Sequence, residues 1–127
     1  MAKRIGARPS AVKHGEAPQP PDVGDLIWLS FTPQAGREQA GRRPGLVLSP
    51  RAYNAKVGLC VICPVTHRAK GYAFEVALPH GLPIAGVVLA DHLKSADWQV
   101  RGADHIARVP SGVLDEVRAK LKPLLGM

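Results

Sequence analysis

GDLIWLSF, residues 24–31, is the stretch on which the fold turns. From Leu26 to Phe31 every residue except Ser30 is apolar. An extended chain of that kind is apolar on both faces, which predicts a buried β-strand rather than a surface one. The domain is expected to begin just ahead of it, at Asp22-Val23-Gly24-Asp25. The first twenty residues, MAKRIGARPSAVKHGEAPQP, have no apolar period and carry basic, small and proline residues. Residues 1–20 therefore read as a flexible basic tail and residues 21–127 as one domain.

Outward from that strand, Thr32 to Arg42 is polar and contains Pro33, Gly36 and Gly41. It reads as a long loop of the kind that carries function. Gly45 to Ser49 is a second strand. Pro44 keeps Arg43 out of the helical region and presents it on extended backbone. Pro50 to Lys56 is a turn or a single helical turn, and Gly58 to Val65 a third strand. Gly71 to Leu78 alternates, with Tyr72, Phe74, Val76 and Leu78 on one face and Ala73, Glu75 and Ala77 on the other. Gly86 to Asp91 and His105 to Val109 complete the strands. Ser111 is expected as a helix N-cap, and Leu114, Val117, Leu121 and Leu124 follow at helical spacing until Pro123 and Gly126 end the run. The sum is a small, mainly antiparallel β domain closed by a C-terminal helix.

At 127 residues and 46% hydrophobic content the chain is large enough for one real core. Aromatics make up only 5%, so that core rests on Val, Leu, Ile and Ala. The 13 glycines and 12 prolines fit many turns and short strands. A formal charge of +7 favours contact with polyanions. Lys3, Arg4, Arg8 and Lys13 place part of that charge in the tail, which is either decoration or a loose RNA-attracting arm.

Several classes are disfavoured. No apolar stretch is long enough to span a membrane and no signal-peptide segment is seen, so a cytoplasmic protein is expected. Cys60 and Cys63 fall inside one strand, three residues apart, and would point to opposite faces. They read as buried fillers, not as a redox pair or zinc ligands. His14, His67, His80, His92 and His105 show no ligand spacing. No metal and no cofactor are expected. Trp28, in a doubly apolar strand, is assigned to the core; Trp98, after a polar turn, is left open between core and base stacking.

The order of motifs from Asp22 onward resembles the MazF/PemK family of toxin ribonucleases. The matching segments are GDLIWLSF (24–31), GREQAGRRPGLVLSP (36–50), YNAKVGLCVICPVT (53–66), KGYAFEVAL (70–78), GVVLADHLKS (86–95) and Trp98 to Gly102. The resemblance implies an SH3-like antiparallel β-barrel with a C-terminal helix, forming a homodimer. It implies a sequence-specific, metal-independent endoribonuclease that cleaves single-stranded RNA by attack of the 2′-hydroxyl and leaves a 2′,3′-cyclic phosphate. It also implies inhibition by a MazE-like antitoxin with an acidic, disordered tail.

That chemistry needs a proton acceptor at the 2′-oxygen, a donor at the 5′-oxygen and positive charge at phosphorus. By resemblance Arg43 is the family's essential arginine; a guanidinium forks onto phosphate oxygens and is always charged. Thr66 matches the threonine paired with it. Glu38 matches a loop glutamate that either accepts the 2′-hydroxyl proton or orients Arg43 or Arg42. Arg42, Arg68 and Lys70 read as phosphate-tracking residues, and Tyr53 and Asn54 as groups that fix the loop or touch a base. His67, beside Thr66, is a further acid or base candidate. Asp91 matches a carboxylate of the Kid branch, whose arginine partner falls at Leu89 here. Two alternatives stand beside the nuclease: a non-catalytic toxin of the same fold that inhibits DNA gyrase, and an RNA-binding module without activity. The C-terminus, Leu124-Leu125-Gly126-Met127, lacks the aromatic on which the gyrase-directed branch depends.

Overall fold

The computed structural model describes residues 18–31 and 41–127. The basic segment up to residue 17 and the loop residue Glu38 lie outside the described residues. The fold is mainly β with a C-terminal helix, as expected. Its strands are β1 (Asp25–Ser30), β2 (Arg42–Val47), β3 (Leu59–Thr66), β4 (Glu75–Ala77), β5 (Val87–Leu89), β6 (Lys94–Asp97) and β7 (Asp104–Arg108). A short helix α1 (Arg51–Val57) joins β2 to β3, and α2 (Ser111–Leu124) ends the chain. Every ladder is antiparallel, in one seven-stranded sheet of order β4-β5-β3-β2-β1-β7, with β6 also on β3.

β3 is the hinge of this arrangement. Its first half pairs with β6 and its last two residues pair with β5. One eight-residue strand thus serves two neighbours along one edge, and the sheet curls. The curl separates two apolar clusters. Leu26, Leu46, Cys63, Val65, Val76 and Val88 pack under α2, which contributes Val113, Leu114, Val117 and Leu121. Burial of side chains of that size stabilises by about 1.5–3 kcal/mol each. On the other face Ile27, Leu29, Val47, Cys60 and Ile62 pack with Ala96 and Trp98. The two cysteines therefore take opposite faces, both buried and both free. Burial pushes the Cys60 thiol up to about 11. Burial, with the nearby Asp91 charge, pushes Cys63 to about 12.

Several sequence expectations shift. β2 starts at Arg42, so the arginine pair sits in the strand itself. The alternating run 71–78 yields strand only at Glu75–Ala77. β6, KSAD, has too little apolar character to be read as a strand, yet β3 supplies its ladder. Pro110, not Ser111, occupies the N-cap of α2, with no side-chain cap bond. Leu124 is exposed rather than buried. No helix among the described residues is long and apolar enough to cross a membrane.

Candidate functional site

The site begins where two strands part. The last paired residues of β2 and β3 are Gly45 and Pro64. The same register continued by two residues would set Arg43 opposite Thr66, and both line the space where the strands separate. Pro44 and Pro64 both lack an N–H, so the ladder has few donors where it ends. Beyond that point the strands bound a groove of about 1190 Å³. Trp28, Arg43, Pro44, Val65 and Thr66 line it, together with His67, Arg68 and Lys70 from the following loop. Tyr72, Glu75, Ile84, Leu89 and His92 form the far wall. Among the described residues the lining is rich in cations with Glu75 as its one carboxylate, so the groove suits a polyanion.

The loop after β3 is held in shape by local bonds. The Thr66 hydroxyl oxygen accepts the Arg68 N–H at 3.1 Å. A hydroxyl so used still has its hydrogen to donate. Glu75 accepts the backbone N–H of Lys70 at 2.9 Å and of Gly71 at 3.1 Å, which fixes the turn that carries Arg68 and Lys70. Tyr72 donates its hydroxyl to Asp91 at 2.8 Å. That hydrogen bond, with the carboxylate's charge, holds the phenol proton above its ordinary range.

Gly86 fixes the height of Thr66. Its φ is +135°, and a Cβ there would lie 2.3 Å from the Thr66 carbonyl oxygen. No side chain fits that gap, so β5 can approach β3 only with glycine here.

Arg43, Thr66, Arg68, Lys70 and His67 are thus brought together, as the sequence suggested. Others are not. Asn54 is fully buried. Its amide donates to the carbonyls of Pro21 at 2.8 Å and Ser49 at 2.9 Å, and its oxygen accepts the Ser49 hydroxyl at 2.6 Å. Both polar atoms of the amide are committed, tying α1 to Pro21 at the domain start and to Ser49 after β2, and neither is left for a base. Tyr53 is exposed on α1, away from the groove lining. Arg42 reaches the groove, but its guanidinium donates to Asp104 at 3.0 Å and to the Gly102 carbonyl at 2.7 Å. It is an arginine already engaged by protein acceptors, though still 35% exposed.

Of the two tryptophans, Trp28, expected in the core, lines the groove, and Trp98, left open by the sequence, is buried. Trp28 is half-buried in the groove, opposite Pro44 on one side and Asp104 on the other. Trp98 is 3% exposed, with its indole N–H donated to the Asn54 carbonyl at 2.8 Å. Trp28, Tyr72, Glu75 and His92 were missed as groove residues. For Trp28 a signal existed: it alternates with Leu26 and Ser30, and only one of those neighbours is apolar.

Comparisons with known proteins agree with this architecture. The model of the PemK-like, MazF-like toxins of type II toxin-antitoxin systems matches residues 22–125. The endoribonuclease toxin MazF of Escherichia coli (strain K12) is 49% identical over 106 residues, covering 84% of this chain and 95% of that protein. The crystal structure of MazF from Deinococcus radiodurans superimposes with a TM-score of 0.78 at 64% identity, covering 84% of this chain and 97% of that one. A MazE-MazF structure from the same organism gives a TM-score of 0.79 at 61% identity, covering 85% and 98%. The family match spans residues 22–125, from ahead of β1 through α2, and the chain belongs to the PemK-like, MazF-like toxin family.

Proposed function

We propose that this chain is an endoribonuclease toxin that cleaves single-stranded RNA at a short sequence motif and is silenced by a MazE-like antitoxin. The observation that carries the reading is a basic groove lined by both Arg43 and Thr66 where β2 and β3 part. Family membership, and a relative named an endoribonuclease at 49% identity, support it.

The groove residues supply the chemistry as follows. Arg68 and Lys70 hold the flanking phosphates. Arg43 donates to the non-bridging oxygens of the scissile phosphate, and Thr66 donates its hydroxyl hydrogen to one of them. The 2′-oxygen attacks phosphorus and gives its proton to an acceptor, for which Glu38 is our candidate. The bond to the 5′-oxygen breaks, that oxygen takes up a proton from solvent water while the acceptor returns its own to solvent, and a 2′,3′-cyclic phosphate and a 5′-hydroxyl remain. Arg43 stabilises the charge that builds on phosphorus and needs no change of its own protonation state. No step requires a metal. An acidic antitoxin segment would compete for the same cations. The active form is a C2 homodimer, since pairing enlarges the groove of so small a domain; a monomer by sedimentation at micromolar concentration would count against it.

The test is incubation of a long single-stranded RNA with the protein in EDTA, beside Arg43→Ala. Discrete fragments with cyclic-phosphate ends from wild type alone are expected. Intact RNA in both lanes would sink the reading and direct attention to gyrase supercoiling.

A further inference from the structure

Arg42 and Arg43 are neighbours in one strand, yet they have opposite fates. Arg43 is exposed at the groove. Arg42 crosses the other face of β1 to reach β7. Its Nη2 meets Asp104 Oδ2 at 3.0 Å and the Gly102 carbonyl at 2.7 Å. Its Nη1 donates to the Arg101 carbonyl at 3.3 Å and lies 3.4 Å from the Ser30 hydroxyl. The side chains of the ion pair are 35% and 13% exposed, so the pair is partly withdrawn from water.

The turn it grips is shaped for it. Gly102 has φ +67°, and a Cβ there would sit 3.3 Å from Arg42 Nη1. The same turn reaches back. Arg101 donates to the carbonyls of Ser30 at 2.9 Å and Phe31 at 3.0 Å, and its own carbonyl accepts the Ser30 N–H at 3.1 Å. Two arginines therefore lash the start of β2 and the end of β1 to the turn 101–102.

This lashing stands where the sheet is weakest. From Arg42 to Pro44, β2 is paired with β1 but has passed its last partner on β3. Backbone bonds on one side alone would leave Arg43 on a loosely held strand end.

We infer that Arg42 is a positioning residue for RNA cleavage: its ion pair with Asp104, seated on Gly102, fixes the strand end that presents Arg43. This rests on the ribonuclease reading above. Arg42 itself touches no phosphate. Displacement of a catalytic group by an ångström lowers the rate by about a hundredfold, so such an anchor sets kcat rather than affinity.

The experiment measures kcat, KM and the salt dependence of RNA binding for wild type, Arg42→Met, Arg42→Lys and Asp104→Asn, with Arg43→Ala beside them. For Arg42→Met we expect kcat to fall by about ten- to a hundredfold, with KM and the slope of log K against log salt unchanged. Asp104→Asn should lower kcat in the same way, although it removes a negative charge near the groove. Arg42→Lys, which keeps the ion pair and loses the fork, should recover part of the rate. A phosphate-contacting Arg42 behaves oppositely: Arg42→Met would raise KM and reduce the salt slope by about one, and Asp104→Asn would tighten binding. Either result overturns the inference, as does a wild-type kcat in Asp104→Asn. Should Arg42→Met fail to fold, Asp104→Asn, which leaves Arg42 its remaining acceptors, carries the same test. Wild type and Arg43→Ala that both leave RNA intact would defeat the ribonuclease reading too. An active wild type with a fully active Arg42→Met would defeat the positioning role alone.

Discussion

The end of the barrel that holds Trp98 and Asn54 and the end that holds Trp28 and Arg43 are built from similar residues and behave in opposite ways. Each has a tryptophan, an amide or hydroxyl, and arginines nearby. Around Trp98 every polar atom has a protein partner: the indole N–H meets Asn54, and Asn54 meets Pro21 and Ser49. Around Trp28 the strands part, prolines withhold their donors, and exposed cations face a groove. Residue type does not decide which end binds a ligand; the balance of hydrogen bonds does.

The largest effect that bears on this contrast is at Trp98. Trp98→Ala should lower stability by about 3–5 kcal/mol in denaturant titrations, with the cleavage rate per folded molecule retained. A loss below about 1 kcal/mol would show that this end is not the rigid one. At the other end, Arg43→Ala should leave the melting temperature in place and cut kcat by about 10²–10³. If it melts early instead, Arg43 is structural and the contrast collapses. Trp28→Ala should weaken RNA binding by about 1–3 kcal/mol through lost stacking. RNA should quench the fluorescence of a Trp98→Phe protein and not that of Trp28→Phe; the reverse pattern would exchange the two ends.

The smallest effect comes from the core both ends share. Cys60 and Cys63 titrate near 11 and 12 when folded, above the ordinary thiol value of 9.0. As pH rises past that value the unfolded chain releases protons the folded chain keeps, so stability falls. Wild type should lose more melting temperature between about pH 8 and pH 10 than a Cys60→Ala, Cys63→Ala protein. Equal losses would mean that the thiols are not held neutral.

Much of this was legible in the sequence and some was not, for identifiable reasons. β1 and β3 announce themselves because strands buried on both faces are continuous apolar runs. The opposite orientation of the two cysteines follows from strand periodicity alone. Arg43 and Thr66 are separated by 22 intervening residues, and only the ladder register brings both to the groove. Periodicity cannot supply register, so their pairing came from resemblance. Asn54 misled because an amide beside an exposed tyrosine looks available; its partners, Pro21 and Ser49, are set by the approach of the domain start. Arg42 misled in the same way, since its partner Asp104 lies two strands away. β6 was hidden because its Lys94, Ser95 and Asp97 carry no apolar signal.

Gly86 gives the groove an unusual dial. A single methyl at that position would lie 2.3 Å from the Thr66 carbonyl oxygen, so the backbone of one strand would have to give way. Alanine is the smallest wedge that can be driven in, and the φ of +135° strains any side chain placed there as well. Such a wedge would shift Thr66 relative to Arg43 while leaving the charge pattern of the groove intact, and on the proposed ribonuclease reading it is expected to slow cutting more than it weakens RNA capture. For anyone wanting a quiet decoy of this toxin, the hydrogen atom on that one α-carbon is the place to begin.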